Sequence, residues 1–245
     1  NHMLQYTATM RRLLPCSGLL LSLLTLAACE QEKQETIPEA STPVSSAPAS
    51  APVLADLSHA AILGNSYVDE FVTYDVLPET DCFYRIGLNV RTVFTKSMLN
   101  HDIPVIDELA NGKTYDKVFL IFGENELGWP NTQAFCDGYG EIIDAVRERQ
   151  PEATVYIQSI LPVSAEVSAQ NIDNTNNQQI LKFNEMLKDI AKDKNAVYLD
   201  VASVMTDSDG NLPNEAATDG IHPGSKYYQK WADYLKENTV PSNGE

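Results

Sequence analysis

Short apolar segments alternate with amphipathic segments along most of the chain. Each apolar segment is five to eight residues long, which is typical of a strand and too short for most helices. The segment at residues 117–122 is nearly all apolar, as expected for a strand buried on both faces of a parallel sheet. We therefore predict five strands, at residues 60–64, 83–88, 117–122, 154–161 and 196–201.

The segments between these strands carry apolar residues at the spacing of an α-helix. This spacing predicts helices or short helical pieces at residues 67–71, 90–99, 106–110, 131–150, 180–190 and 227–235. The polar stretch at residues 164–178 is predicted to be a long loop. Because strands alternating with helices build a parallel sheet covered on both faces, we predict an α/β fold, a three-layer α/β/α sandwich around a central parallel five-stranded sheet.

The N-terminal segment has a different pattern. Arg11 and Arg12 precede a leucine-rich run at residues 19–26, which is short for a membrane span and typical of a secretory signal. The run closes with Leu-Ala-Ala-Cys at residues 26–29, which resembles the cleavage site of a bacterial lipoprotein signal. That resemblance implies removal of residues 1–28 and lipid attachment at Cys29. An ordinary signal peptide followed by a coincidental cysteine is the alternative.

Residues 29–55 are rich first in Glu and Gln and then in Ser, Thr, Pro and Ala. Such a composition cannot bury enough apolar surface to fold. We therefore predict a disordered tether that holds a domain at residues 56–245 away from a membrane. With acyl chains on Cys29, the protein would be exported and anchored to the bacterial cell envelope without spanning it.

The composition narrows the range of partners. The formal net charge is −17 at pH 7, so nucleic acid is a poor partner and a neutral or cationic substrate is favoured. Four cysteines without a Cys-x-x-Cys pair indicate neither a disulfide scaffold nor a zinc site. Cys82 and Cys136 remain after export, and they either form a disulfide in an oxidising compartment or stay free.

Candidate chemistry lies where the predicted strands end. Ser66 follows the first strand at a strand-to-helix turn, Gly87 is near the end of the second strand, and Asn125 follows the third. Open α/β sheets bind ligands at the carboxyl ends of their strands. Each residue also has a structural interpretation: a helix cap for Ser66, a turn or bulge for Gly87, and a turn for Asn125.

Asp219 and His222 lie three positions apart in a loop that Gly and Pro residues interrupt. A carboxylate held against one ring nitrogen lets the other nitrogen act as a base, as in hydrolytic triads. The alternative is a helix N-terminus with Asp219 as its cap. His59 and His101 are weaker candidates, because the first precedes the sheet and the second has no acid at a comparable spacing.

Together these residues resemble the four sequence blocks of the SGNH (GDSL-type) hydrolase family, in the same order. The blocks are residues 64–67, Gly87, residues 123–126 and residues 219–223, and the resemblance covers residues 60–235. Asn65 and Glu126 occupy positions where the family usually carries Asp. The resemblance implies a flavodoxin-like strand order, no cofactor and no metal.

The same resemblance implies a serine esterase. Ser66 would be the nucleophile, His222 the base and Asp219 the residue that orients it, while the backbone N–H groups of Ser66 and Gly87 and the amide of Asn125 would form the oxyanion hole. A tethered, exported enzyme meets glycans, so we expect small acyl esters, acetyl foremost, on carbohydrate. A lysophospholipase or thioesterase of the same fold and a non-catalytic glycan-binding lipoprotein are the alternatives.

Two aromatic residues adjoin these blocks. Tyr67 and Trp129 could form a wall for a sugar or a small acyl group, or each could pack against its own helix. The predicted loop at residues 164–178 could flank the same substrate.

Overall fold

The computed structural model describes residues 53–240, which form an α/β domain. The signal sequence, Cys29 and nearly all of the tether lie outside the described residues. Ala55, at the end of the predicted tether, is buried, and its backbone N–H donates to the Lys236 carbonyl at 2.8 Å. Among residues 53–240, no helix has both the length and the apolar character that crossing a bilayer requires.

The sheet has five parallel strands in the order β2-β1-β3-β4-β5. This is the flavodoxin-like order, in which the chain moves outward from β1 in one direction and then in the other. The strands are β1 Ala60–Gly64, β2 Asp81–Tyr84, β3 Lys117–Ile121, β4 Thr154–Gln158 and β5 Val197–Leu199.

Five α-helices accompany the strands: α1 Ser66–Tyr74, α2 Thr132–Arg149, α3 Ala165–Gln170, α4 Asn177–Asp193 and α5 Ser225–Asn238. Short 3₁₀ helices complete the connections, at Thr92–Phe94, Val105–Ala110, Glu124–Glu126, Ile172–Asn174 and Val201–Val204.

Successive side chains of β3 point to opposite faces of the sheet, and an apolar cluster lies on each face. Val118 and Leu120 face the cluster covered by α2 and α4, whereas Phe119 and Ile121 face the cluster covered by α1 and α5. In the second cluster Trp231 of α5 is fully buried, and its indole N–H donates to Gln158 at 2.6 Å. The predicted three-layer α/β/α architecture is therefore confirmed.

The second strand differs most from its prediction. It covers Asp81–Tyr84 rather than residues 83–88, and Ile86 is 68% exposed. Residues 85–88 form a turn closed by the Leu88 N–H on the Arg85 carbonyl at 3.1 Å, with Gly87 at φ +74° in its third position. A type II turn needs a positive φ at that position, and glycine adopts it without strain. The turn ends the strand earlier than the apolar pattern suggested.

Two further segments were predicted incorrectly. The helical pieces at residues 90–99 and 106–110 are only short 3₁₀ helices. The polar stretch at residues 164–178 is not a continuous loop, because it contains α3 and a 3₁₀ turn. Ser164 caps α3 by accepting from the Val167 N–H at 3.2 Å, a cap that the serine itself could have indicated.

Cys82 and Cys136 are free thiols, so the disulfide considered from the sequence is not formed. The physical reason is their placement. Cys82 on β2 packs against the cluster covered by α1 and α5, whereas Cys136 on α2 packs against the cluster on the other face of the sheet. Burial raises the pKa of the Cys82 thiol to about 12, which keeps it protonated and unreactive.

Candidate active site

The turn that carries Ser66 joins β1 to α1. At its start Gly64 lies so close to β3 that a Cβ atom there would be 2.5 Å from the Ile121 carbonyl oxygen. Asn65 is the N-cap of α1, because its side-chain oxygen accepts from the Tyr67 N–H at 3.2 Å. Ser66 is therefore the first residue of the helix and not its cap, which leaves its hydroxyl available for another partner.

The loop before α5 is organised by the Asp219 carboxylate. One oxygen, Oδ1, accepts from the backbone N–H groups of Ile221 at 2.9 Å and His222 at 2.8 Å. The other, Oδ2, is 2.7 Å from Nδ1 of the His222 ring. The cap of α5 is Gly224, without a side-chain hydrogen bond, so Asp219 does not cap that helix.

Ser66 and His222, which are 156 positions apart in the chain, are hydrogen-bonded. Ser66 Oγ lies 3.1 Å from His222 Nε2. The ring tautomer with its proton on Nδ1 satisfies both contacts, because Nδ1–H donates to Asp219 while Nε2 accepts from the Ser66 hydroxyl. The structure therefore brings three of the predicted site residues together in one hydrogen-bonded series.

The ionisation of Asp219 suits this arrangement. Partial burial acts to raise its pKa, but the hydrogen bonds from the His222 ring and from the backbone N–H groups of His222 and Ile221 outweigh it and lower the pKa below its usual value. Asp219 is therefore a carboxylate at neutral pH, and a negative charge facing Nδ1 favours a proton on that nitrogen.

Tyr67 supports the histidine loop from beneath. Its ring centroid is 5.2 Å from that of His222, and its hydroxyl donates to the Ile221 carbonyl at 3.3 Å. The side chain is only 1% exposed and packs edge-on against Trp231. The suggestion that Tyr67 lines a substrate wall is therefore wrong, since the ring belongs to the core.

Asn125 and the turn that contains Gly87 meet beside the Ser66 turn. Asn125 Nδ2 donates to the Leu88 carbonyl at 2.9 Å, which leaves its second N–H free of that bond. The Arg85 N–H donates to the Gly64 carbonyl at 3.3 Å, two residues before Ser66. These contacts hold residues 85–88 between the end of β1 and the segment after β3.

Two glutamates on either side of Asn125 were not assigned any role from the sequence. Glu126 is 0% exposed, and its Oε1 accepts from the Val90 N–H at 2.8 Å. Burial raises its pKa to about 7, although backbone N–H groups including that of Val90 oppose the shift. Burial and then the charge of Glu126 raise the pKa of Glu124 well above its usual range. The sequence feature that could have singled them out is their position directly after a fully buried strand.

Three clefts lie near these residues. The first, about 460 Å³, adjoins the Gly87 turn, and the second, about 400 Å³, adjoins Asn125. The third, about 410 Å³, opens beside His222. The first cleft is lined by Asp69, Tyr84, Arg85, Ile86, Met98 and Leu99. The second is lined by Glu124, Asn125, Gly128, Trp129, Asp173 and Thr175. The third is lined by acidic and aromatic residues that include Glu70, Tyr74 and Glu215.

Trp129 is half-buried in the second cleft, with the Arg91 guanidinium 4.9 Å from its ring centroid. Asp173 and Thr175 also line that cleft, so part of the stretch expected to flank a substrate does border this space. Within residues 53–240, no cluster of three or more His, Cys, Asp or Glu side chains is arranged to hold a metal ion.

A parallel flavodoxin-like sheet with a serine, a histidine and an aspartate hydrogen-bonded at its carboxyl edge is the arrangement expected of an SGNH-type hydrolase. The sequence model of the GDSL-like lipase/acylhydrolase family matches residues 64–230, which is more than half of the chain. The chain therefore belongs to this family and is a carboxylic ester hydrolase.

Solved structures share the fold. A protein from Streptococcus pneumonia with the provisional name platelet activating factor is 23% identical, with TM-score 0.59 over 73% of this chain and 82% of that one. A GDSL-like lipase from Bacteroides thetaiotaomicron is 13% identical, with TM-score 0.54 over 74% and 87%. An acetylxylan esterase mutant from Geobacillus stearothermophilus is 16% identical, with TM-score 0.51 over 76% and 96%. No curated protein sequence matches the chain.

The buried carboxyl of Glu126 predicts a pH-dependent stability. Its pKa of about 7 in the fold exceeds the ordinary glutamate value of 4.5, so the stabilisation is present in full below 4.5 and is lost as pH rises through about 7. Glu126→Gln cannot ionise. Between pH 5 and pH 8 the variant should gain about 2 to 3 kcal/mol of unfolding free energy relative to wild type.

Denaturant unfolding of both proteins at the two pH values measures this difference. Glu141→Gln, at an exposed position of α2, is the matched control and should follow wild type. Parallel pH dependences for wild type and Glu126→Gln would show that Glu126 ionises in the fold as it does in the unfolded chain.

Proposed function

We propose that this protein is a serine esterase that removes small acyl groups, acetyl foremost, from carbohydrate at the bacterial cell envelope. The observation that carries the catalytic part is the hydrogen-bonded series from Ser66 Oγ through His222 to Asp219, at 3.1 and 2.7 Å. A helix cap or a structural histidine would not need all three groups in line.

In the first half-reaction, Ser66 Oγ attacks the ester carbonyl carbon while His222 Nε2 takes the hydroxyl proton. Asp219, ionised and fixed by its loop, balances the charge that forms on the imidazole. The oxyanion would be held by the backbone N–H groups of Ser66 and Gly87 and by the N–H of Asn125 that does not bond Leu88.

The tetrahedral intermediate then collapses. The bond from the carbonyl carbon to the leaving oxygen breaks, and His222 gives its proton to that oxygen, which releases the alcohol and leaves an acyl group on Ser66. In the second half-reaction water attacks the acyl carbon, with its proton passing to His222. The proton returns to Ser66 Oγ as the carboxylic acid leaves.

Ser66→Ala tests the catalytic assignment, because removing the hydroxyl removes the nucleophile. We expect kcat/KM for p-nitrophenyl acetate to fall by at least about 10³-fold, as when one member of a catalytic triad is removed. The assay uses wild type, Ser66→Ala and Ser203→Ala, an exposed serine remote from Ser66 in the chain whose loss should change little. If Ser66→Ala hydrolysed the ester at the wild-type rate, Ser66 would not be the nucleophile; if folded wild type turned over no ester at all, the glycan-binding alternative would be favoured.

Two features support a carbohydrate ester as substrate. The cleft beside Asn125 combines the half-buried Trp129 ring with the polar side chains of Glu124, Asp173 and Thr175, a pairing of aromatic surface and hydrogen-bonding groups that suits sugar hydroxyls. The acetylxylan esterase of similar fold acts on an acetylated glycan.

A second candidate rests on the first cleft, beside the Gly87 turn. Ile86 and Leu99, two of its lining residues, are 68% and 79% exposed, and together with Met98 they could accept a longer acyl chain. That surface favours a lysophospholipase or thioesterase activity over the hydrolysis of acetyl esters.

Trp129→Ala separates the two candidates. We expect it to lower kcat/KM for an acetylated xylo-oligosaccharide about fivefold more than for p-nitrophenyl acetate, because only the sugar ester would use the ring. Stacking contacts of this kind contribute about 1 kcal/mol. Trp129→Phe keeps an aromatic face and should lose less. Equal losses on both esters, together with wild-type preference for p-nitrophenyl octanoate over acetate, would favour the long-chain candidate.

We also propose that the protein is a lipoprotein anchored through Cys29, on the strength of the Leu-Ala-Ala-Cys sequence at residues 26–29. Cys29→Ala in the full chain should release the protein from the membrane fraction of an expressing bacterium, as measured by detergent partition. Cys16→Ala changes the other cysteine of the leader region and should leave the protein in the membrane. Retention of Cys29→Ala in the membrane would refute the anchor.

A further inference from the structure

We propose that Glu126 is a positioning residue of the oxyanion hole, which holds the backbone of residues 85–91 against the segment that carries Asn125. The proposal rests on the esterase function proposed above. It gives a role to Glu126, which stands where the family usually carries Asp.

Two hydrogen bonds of opposite direction join these segments. Asn125 Nδ2 donates to the Leu88 carbonyl at 2.9 Å, and the Val90 N–H donates to Glu126 Oε1 at 2.8 Å. Because Leu88 and Val90 are only two residues apart, the pair fixes both the distance and the rotation of that backbone relative to the end of β3. A single bond would leave the rotation free.

The tip of the turn is exposed at Arg85, Ile86 and Gly87, and the Gly87 φ of +74° belongs to a tight turn. At its start the Arg85 N–H donates to the Gly64 carbonyl at 3.3 Å, and at its end Leu88 is fully buried. Val90 is fully buried against Gly138 of α2, where its Cγ2 would lie 2.8 Å from a Cβ atom. The Glu126 bond is therefore made three residues after the proposed oxyanion donor, where this segment already lies in the core.

A buried carboxyl would be a poor choice if it served packing alone. Glu126 Oε2, Glu124 Oε1 and the Tyr139 hydroxyl are buried and have no hydrogen-bond partner among the described residues. Burying such groups costs free energy that an apolar residue of the same size would avoid. The bond to Val90 is the specific contact that an apolar residue could not make.

Glu126 also adjoins Asn125 in one short 3₁₀ helix, Glu124–Glu126. Asn125 bonds the Leu88 carbonyl and Glu126 bonds the Val90 N–H. The proposed side-chain oxyanion donor and the residue that holds the backbone after Gly87 are therefore neighbours in the chain.

The test compares four variants of the full chain. Glu126→Met keeps the side-chain length but removes the acceptor, whereas Glu126→Gln keeps an acceptor for Val90. The other two are Asn125→Ala and the double variant Asn125→Ala/Glu126→Met. Initial rates with p-nitrophenyl acetate give kcat and KM, and thermal melting confirms that each protein is folded at the assay temperature.

We expect Glu126→Met to lower kcat about 10- to 100-fold, somewhat less than the loss of one direct oxyanion donor, with KM changed by less than about threefold. Glu126→Gln should stay within about threefold of wild type, because its amide oxygen still accepts from Val90. The double variant should be no more than about threefold slower than Asn125→Ala, because residues that act as a unit are not additive.

Wild-type kcat in Glu126→Met would overturn the proposal, as would losses that multiply in the double variant or a Glu126→Gln protein as slow as Glu126→Met. If Glu126→Met melts below the assay temperature, Glu126→Asp replaces it. That variant is shorter by one methylene, should lose at least about fivefold in kcat, and refutes the proposal if it retains wild-type kcat. Failure of the esterase function is distinguishable, because Ser66→Ala would then retain its turnover whatever the Glu126 variants do.

Discussion

The arrangement of the active site depends on the Asp219 carboxylate, which accepts three hydrogen bonds within its own loop. Two come from the backbone N–H groups of Ile221 and His222 and one from the His222 ring. The backbone bonds set the loop conformation, and that conformation in turn sets the direction of the imidazole. A single side chain therefore fixes this loop and the direction of the His222 ring. The same hydrogen bonds outweigh partial burial and lower the Asp219 pKa, so a negative charge lies beside the ring.

The sheet supplies the second constraint. Parallel strands bring their carboxyl ends to one edge, so the turns after β1, β2 and β3 and the loop before α5 meet there. The close approach of β1 and β3 at Gly64 brings the Ser66 turn next to the segment containing Asn125. Beneath them, the aromatic core of α1 and α5 supports the histidine loop through Tyr67.

The site also contains two carboxyl groups with raised pKa values. Glu124 and Glu126 follow a strand that is buried along its whole length. Burial raises the pKa of both, and the charge of Glu126 adds to the shift at Glu124. Natural proteins accept such free-energy costs mainly at functional sites. The same segment borders the polar cleft with Trp129, and its Asn125 bonds the turn after β2.

The sequence by itself determined the layer architecture and the candidate site residues. Continuous apolar runs and period-3.6 patterns report burial directly, so β3 and α2 were predicted within one or two residues. The spacing of Asp219 and His222 could be recognised within one loop. Tertiary structure decided what depends on distant parts of the chain. The early end of β2 at Tyr84 follows from a turn, Cys82 and Cys136 are separated by the sheet, and Tyr67 is enclosed by α5. The burial of Glu126 and its bond to Val90, 36 positions away, likewise appear only when the strands are assembled, because a local pattern carries no information about which loops meet at the sheet edge.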